Sequence, residues 1–253
     1  MDAPQYLRRL AFTGPIERTI EVLKGLQLAH LTSVPYENLD IFPRSRPVSL
    51  ARPDLYSKIV IRRRGGFCHE LNQLFRWRLD DLGFSPTLVA ALAVHFTDGT
   101  IRPAFSHQAI VVDVGGPRLV DVGFGGRNPR IPLRIDDSFE QHDGLHSFRI
   151  STNGDGVRTL HRLHEDFLWR PVYSFSLDIR ADDEFTARCA EQQNEPPWNA
   201  RRLCALHTPR GVALLSGDHL TKVENGVRSE QLLASDEERT RTLGDVFGLD
   251  DSD

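Results

Sequence analysis

Residues Arg62 to Gly83 read RRRGGFCHELNQLFRWRLDDLG, and no other stretch of the chain carries so clear a helix signal. Leu71, Leu74, Phe75, Leu79 and Leu82 fall at i, i+3, i+4, i+8 and i+11, the spacing of one apolar helix face, and Gly83 is the residue type that closes such a run. The pair Gly65 and Gly66, followed by Phe67, puts Cys68 in the first turn. Unpaired backbone N–H groups and the helix dipole favour an anion there, so the Cys68 thiol is expected to be more acidic than a free one. Most free cysteines are small buried fillers. Cys189 and Cys204 fit that role, since neither follows a glycine turn and Cys204 lies mid-strand in RRLCALH.

Upstream of this helix, Ile16, Ile20, Leu23, Leu26 and Leu28 recur near helical spacing between Pro15 and Ser33, with Thr13 as a cap, and Pro53 to Ile61 reads as another helix. Downstream the texture changes. SPTLVAALAVHF, SHQAIVVDV, RLVDVGF, SFRIST and VRTLHRL are β-rich runs separated by DG, GGP and NGDG turns, which predicts a barrel or sandwich. A helix over Asp183 to Gln193 then leads into RRLCALHT, GVALLSG and HLTKVENGVRSEQLL, strands with turns at Pro209 to Gly211 and at Asn225-Gly226. Ser235 with Glu238 three residues on is a capping box for a last helix. The reading is α+β: a helical unit over 1–85, a β unit over 86–180 and an α/β unit over 181–253, without repeats or long linkers.

The 253 residues are 40% hydrophobic and 26% charged, ordinary for a globular chain with a real core. With 31 basic against 35 acidic residues the net charge is -4, and no basic patch suits nucleic acid or an anionic membrane. The longest apolar run, Leu88 to Val94, falls far short of the ~20 residues that span a bilayer. Three cysteines cannot form an even disulfide framework and no secretory pattern opens the chain, so a cytoplasmic location is expected.

Several partial motifs fail. HELNQ starts like a zinc-protease helix, but Gln73 stands at the second ligand position; VGFGGRN has Asn128 where a dinucleotide loop needs glycine; His161 and His164 lack ligand partners; Ser216 lacks the GxSxG frame. No metal site is expected.

A cysteine nucleophile wants a base, and the base wants an orienting carboxylate or amide. His107 opens the apolar strand SHQAIVVDV, and Asp121 lies in the next, RLVDVGF, so each is a polar insertion that needs a partner. A core histidine and a turn or edge carboxylate are the plain alternatives. A hairpin pairing Val114 with Leu119 would leave the two about 5 residues, or ~17 Å, apart along the sheet. A bulge or bend is then required to bring them together.

VPYENLD (34–40), RRRGGFCHELN (62–72), SHQAIVV (106–112) and LVDVGFGG (119–126), in this order and separation, resemble the arylamine N-acetyltransferases, and RRLCALHTPRGVALLSGDHLT resembles their C-terminal strand pair. The likeness covers nearly the whole chain. It implies a helical first domain, a β-barrel second domain and an α/β lid, arranged as in cysteine proteinases, with a catalytic triad of Cys68, His107 and Asp121. It implies acetyl-CoA as acyl-donor cosubstrate and an arylamine or hydrazine as acceptor. By position, Ser106, Phe124 and Gly125 would line the CoA cleft and Tyr36, Phe67 and Phe124 the acceptor pocket. Glu37 and Arg64 would form a structural ion pair, and Asn72 would anchor the nucleophile turn. The chain departs from the family at His69, usually aromatic or aliphatic, which is expected to bear on thiol acidity or acceptor fit, and at Tyr36, whose hydroxyl needs a partner. A homo-oligomer is compatible with this reading. Competing readings are an amide synthase that takes a polyketide or other bulky acyl thioester, a cysteine hydrolase, and a binding module with an inactive triad.

Overall fold

Residues 3–94, 105–136 and 138–250 are described by the computed structural model. The end of the expected strand SPTLVAALAVHF, at His95 and Phe96, lies outside them. The N-terminal third holds α1 (Ala3–Arg9), α2 (Ile20–Ser33), β1 (Tyr36–Glu37), α3 (Arg52–Leu55), continued by a π-helical turn over Tyr56–Ile61, and α4 (Cys68–Asp81). On α4 the expected face is buried, with Leu71, Leu74, Phe75 and Leu79 fully covered, and Gly83 follows at φ +85°. The second helix begins at Ile20 rather than Pro15, because Thr19 supplies the cap: its Oγ1 accepts from the Val22 N–H at 3.3 Å. Helix α1 was not anticipated. It is held by Tyr6 and Leu10 in the core and by Arg9, which donates to the carbonyls of Ile59, Ser33 and Arg63.

The middle third is one antiparallel sheet built from β2 (Pro86–Ala93), β3 (His107–Asp113), β4 (Pro117–Val120), β5 (Leu133–Arg134), β6 (Gln141–His142), β7 (Ser147–Thr152), β8 (Arg158–Leu163) and β9 (Trp169–Phe175). Its order, β5-β4-β3-β2-β9-β8-β7-β6, coils into a nearly closed barrel. The two edges meet through one side chain: the Gln141 carbonyl accepts from the Arg134 N–H at 2.7 Å and its amide donates to the Arg134 carbonyl at 3.0 Å. Strand β9 escaped the sequence reading because Pro171 interrupts it. The ladder tolerates that proline where its register slips, beside Leu160 and His161 of β8.

The rest comprises α5 (Asp182–Gln192), β10 (Leu203–Thr208), β11 (Gly211–Ser216), β12 (His219–Glu224), β13 (Val227–Leu232) and α6 (Asp236–Phe247). Asn225 and Gly226 both take positive φ, the conformation of a two-residue hairpin turn, and Ser235 caps α6 by accepting from the Glu238 N–H at 3.2 Å. The second sheet runs β1-β10-β11-β12-β13, so Tyr36 and Glu37 of the N-terminal third pair with Ala205 and Cys204 near the other end of the chain. No helix among the described residues is long and apolar enough to cross a membrane.

The β3–β4 hairpin departs from the expected register in a way that decides the site. Asp113 pairs with Pro117 and Ile110 with Val120, so the next step of this register sets Asp121, just past the strand end, beside Ala109. That is two residues, or roughly 7 Å, from His107 rather than ~17 Å. The cause is the turn: Gly115 and Gly116 adopt positive φ, and the Asp113 carboxylate accepts from the Gly116 N–H at 3.2 Å.

Behind the turn that precedes Cys68 lies a buried ionic cluster. Lys58 Nζ sits 2.7 Å from Asp40 and 2.8 Å from Glu70, while Arg64 Nη2 sits 2.9 Å from Glu37 and 3.3 Å from Asp40. Burial and the neighbouring Glu37 push the Glu70 carboxyl up to about 7, against the pull of Lys58. Removing one partner from such a cluster leaves charge uncompensated in the interior. Lys58→Met is therefore expected to cost about 3–5 kcal/mol of stability. Chemical denaturation checks this, and a midpoint equal to that of the unsubstituted protein contradicts it.

Candidate active site

Cys68 is the first residue of α4. Its position is set by the turn before it: the Phe67 N–H donates to Glu70 at 3.0 Å, the Glu37 N–H donates to the Gly66 carbonyl at 2.9 Å, and Gly66 bridges to Tyr36 in parallel. A Cβ on Gly65 would stand 2.0 Å from the Pro35 carbonyl oxygen, so only glycine allows this approach.

Asp121 is buried and fully satisfied. One carboxylate oxygen accepts from the Asn72 amide at 3.0 Å, the Gly123 N–H at 2.9 Å and the Asn128 amide at 3.2 Å; the other accepts from His107 Nε2 at 2.8 Å. Burial pushes its carboxyl up, but the charge and hydrogen bond of His107, the Asn72 amide and the Gly123 N–H together hold it below the usual range. With Nε2 engaged, His107 Nδ1 has no hydrogen-bond partner among the described residues. The ring is clamped by Phe124 at 4.6 Å and Tyr173 at 5.1 Å between centroids.

The expected acidity of Cys68 is not what its surroundings produce. Burial pushes the thiol up, the His69 backbone N–H pulls it down, and Asp121 and Glu70 push it up further. A helix N-terminus alone does not make a thiolate in so dry a place. Cys68 and His107 both line one cavity.

That cavity encloses about 540 Å³. Of the residues expected around it, Tyr36, Ser106, Phe124 and Gly125 line it. The Tyr36 hydroxyl accepts from Trp198 Nε1 at 2.9 Å, which answers its need for a partner. Phe67 and His69, expected to bind substrate, are absent from its wall among the described residues. Both are fully buried: Phe67 packs in the helical core, and His69 turns inward between Gln108 and Gln192. Glu37 and Arg64 meet in the ionic cluster described above. Asn72 does hydrogen bond, though toward the barrel rather than the nucleophile turn: it donates to the Gln108 carbonyl at 2.6 Å and to Asp121, and accepts from the Val122 N–H at 3.0 Å.

Sequence reasoning missed Trp198, Arg127 and Arg201 on the cavity wall, Tyr173 behind His107, and the role of Gly123. Asn128 was noticed only as the residue that spoils a glycine motif, and it is a ligand of Asp121.

Residues 19–252 match the family model Acetyltransf_2, described as N-acetyltransferase. The arylamine N-acetyltransferase / N-hydroxyarylamine O-acetyltransferase of Salmonella typhimurium is 31% identical over 222 residues, covering 86% of this chain and 78% of that protein. The chain belongs to the arylamine N-acetyltransferase family. It is an acyltransferase of that family, and its fold is that of solved members. The structure of the Mycobacterium marinum arylamine N-acetyltransferase superposes with a TM-score of 0.91 at 31% identity, over 98% of this chain and 92% of that one, and the same protein has been solved in complex with CoA.

At Gly123 the loop after β4 closes directly on the first turn of α4. A Cβ there would lie 2.7 Å from the Asn72 amide nitrogen and 2.9 Å from both the Cα and the carbonyl oxygen of Cys68. Gly123→Ala must separate the helix from Asp121 and His107, and a displacement near 1 Å costs about 10²-fold in rate. A folded Gly123→Ala variant is expected to lose at least that much transfer activity; full activity would show that this contact does not set the site.

Proposed function

We propose that the enzyme moves an acetyl group from acetyl-CoA, through a thioester on Cys68, to the nitrogen of an arylamine or hydrazine. The observation that carries this reading is the state of His107: Nε2 is bonded to the buried Asp121, Nδ1 has no hydrogen-bond partner among the described residues, and His107 and Cys68 line the same cavity. Asp121 fixes the tautomer, as the orienting member of such a triad does.

The steps follow from that tautomer. Nδ1 takes the thiol proton, and the sulfur attacks the acetyl carbonyl carbon of the donor. The tetrahedral adduct collapses, the C–S bond to CoA breaks, and the CoA sulfur leaves with the proton returned by His107. The amine then attacks the Cys68 thioester, passes a proton to Nδ1 as its C–N bond forms, and releases the cysteine. No water is required, and the dry surroundings of the sulfur protect the thioester from hydrolysis.

Two features of the cavity support the substrate classes. Tyr36, Phe124 and Trp198 offer flat aromatic faces to an aromatic amine, and Arg127 and Arg201 bring positive charge to the same wall, which suits the phosphates of CoA.

The thioester must form before any amine is present. Acetyl-CoA alone is expected to add one acetyl group to Cys68 by intact mass, and an aromatic amine or hydrazine to remove it. Cys68→Ala is expected to abolish both labelling and transfer, whereas Cys189→Ala and Cys204→Ala retain them. Transfer by the Cys68 variant would end this mechanism. Labelling by a longer acyl thioester but not by acetyl-CoA would replace the donor with the bulkier one of an amide synthase.

A further inference from the structure

His69 is fully buried directly after the nucleophile, and each of its ring nitrogens faces a glutamine oxygen: Nδ1 lies 3.0 Å from Gln108 Oε1 and Nε2 lies 2.9 Å from Gln192 Oε1. A neutral imidazole carries a single N–H and donates to only one of these oxygens, so it is the backbone carbonyls beyond them that fix the two glutamines. The Gln108 amide donates to the His69 carbonyl at 2.9 Å, and the Gln192 amide donates to the Ser106 carbonyl at 3.0 Å. Flipping Gln192 would set two acceptors against each other, so its NH2 group must point toward Ser106. That NH2 also lies 3.9 Å from Cys68 Sγ, within reach of a hydrogen bond to sulfur.

Gln192 closes the last turn of α5, has no exposed surface, and does not line the cavity among the described residues. It spends a buried amide on one histidine, one carbonyl and one sulfur. Apart from backbone N–H groups, which lower the thiol, its surroundings oppose ionisation. Asp121 and Glu70 push it up, His69 is held neutral by burial at about 4, and Cys189 is itself a buried thiol pushed upward. Arg188, one turn before Gln192, is engaged by Glu191 and Glu195. His107 remains to take the proton, and the Gln192 N–H is a side-chain donor left to meet the charge on sulfur.

We propose that Gln192 is a positioning residue for Cys68: its amide, oriented by His69 and the Ser106 carbonyl, directs an N–H at the sulfur and stabilises it as thiolate and as leaving group. A hydrogen bond to the charged form of a group favours that form, and a donor already fixed in place needs no reorganisation when charge appears. The C-terminal third thereby acts on the nucleophile through α5. His69 serves the same end indirectly in the tautomer with its hydrogen on Nε2, which donates to Gln192 Oε1 and holds the amide in the orientation that offers hydrogen to sulfur. The proposal rests on the Cys68 thioester reading above.

The test uses the full chain and two readouts: the pH dependence of Cys68 alkylation by iodoacetamide, and the single-turnover rate of acetylation by acetyl-CoA without amine. Gln192→Met keeps the length and removes the donor. It is expected to shift the alkylation profile to higher pH and to slow acetylation at least about tenfold, the scale of one hydrogen bond to a charged group. The acetyl-CoA concentration for half-maximal rate should change little, because the residue does not line the cavity. His69→Phe, which keeps a ring but frees the Gln192 oxygen, is expected to shift both readouts in the same direction by less. A folded Gln192→Met variant with unchanged profile and rate overturns the proposal. If Gln192→Met does not fold, His69→Phe decides: a shifted profile supports the proposal and an unchanged one overturns it. Failure of the underlying mechanism looks different, since acetyl transfer by Cys68→Ala removes the thioester whatever Gln192 does.

Discussion

Asp121 is a carboxylate buried away from solvent, and burying such a charge is tolerable only where every lone pair finds a donor. Its donors come from three parts of the chain: Asn72 from α4, His107 from β3, and Gly123 with Asn128 from the loop after β4. Satisfying one carboxylate therefore docks α4, with Cys68 at its first turn, onto the barrel. Asn72 shows the economy of this, since the amide that reaches Asp121 also takes the Gln108 carbonyl while its oxygen takes the Val122 N–H. The imidazole is oriented as a by-product of charge satisfaction. What reads as catalytic geometry is also the adhesive between two layers of the fold.

The opposite side of the nucleophile is held by charge of another kind. Lys58, one of only Lys24, Lys58 and Lys222 in an arginine-rich chain, sits on the π-helical turn between Asp40 and Glu70, and Glu70 in turn accepts the Phe67 N–H one residue before Cys68. Arg64 joins the same cluster through Glu37, whose strand pairs with β10. Three stretches of the N-terminal third, around Glu37 and Asp40, around Lys58, and from Arg64 to Glu70, meet there, and Gly65 lets the backbone approach Pro35. Such a cluster adds little net stability over apolar packing, but it permits few alternative arrangements. Cys68 thus stands between two polar anchors, each specifying its position more than stabilising the whole.

The helices were legible because amphipathic spacing is a local property: the face of α4 and the cap of α6 lie where the residues put them. Five strands of the barrel were legible for the same reason, but not the two-residue β5 and β6, too short to show alternation, nor β9, where Pro171 masks the pattern. What sequence could not supply was register. The three-residue turn at Val114 to Gly116 depends on two glycines at positive φ and on the Asp113 side chain, and moving it by a few positions changes the His107 to Asp121 distance by about 10 Å at ~3.4 Å per residue. The family likeness grouped Cys68, His107 and Asp121 where regular hairpin pairing would have kept the last two apart. Phe67 and His69 show its limit, for a motif position says which residue is present but not which way its side chain turns, and here both turn into the protein.

Burial has two consequences at the sulfur, and they pull in opposite directions. Excluding water raises the free energy of the thiolate, which is why the Cys68 thiol is pushed up despite its place at a helix N-terminus. The same exclusion strengthens every hydrogen bond made to the anion once it forms. On the proposed mechanism the second effect is needed only during transfer, while the first keeps the resting cysteine neutral and the thioester out of reach of water. A solvated, already ionised thiol would give up that protection and expose the acyl group to hydrolysis. The buried base, its carboxylate and the inward-facing amide of Gln192 are then parts of one arrangement, in which charge on sulfur is costly in the resting state and supported when it develops.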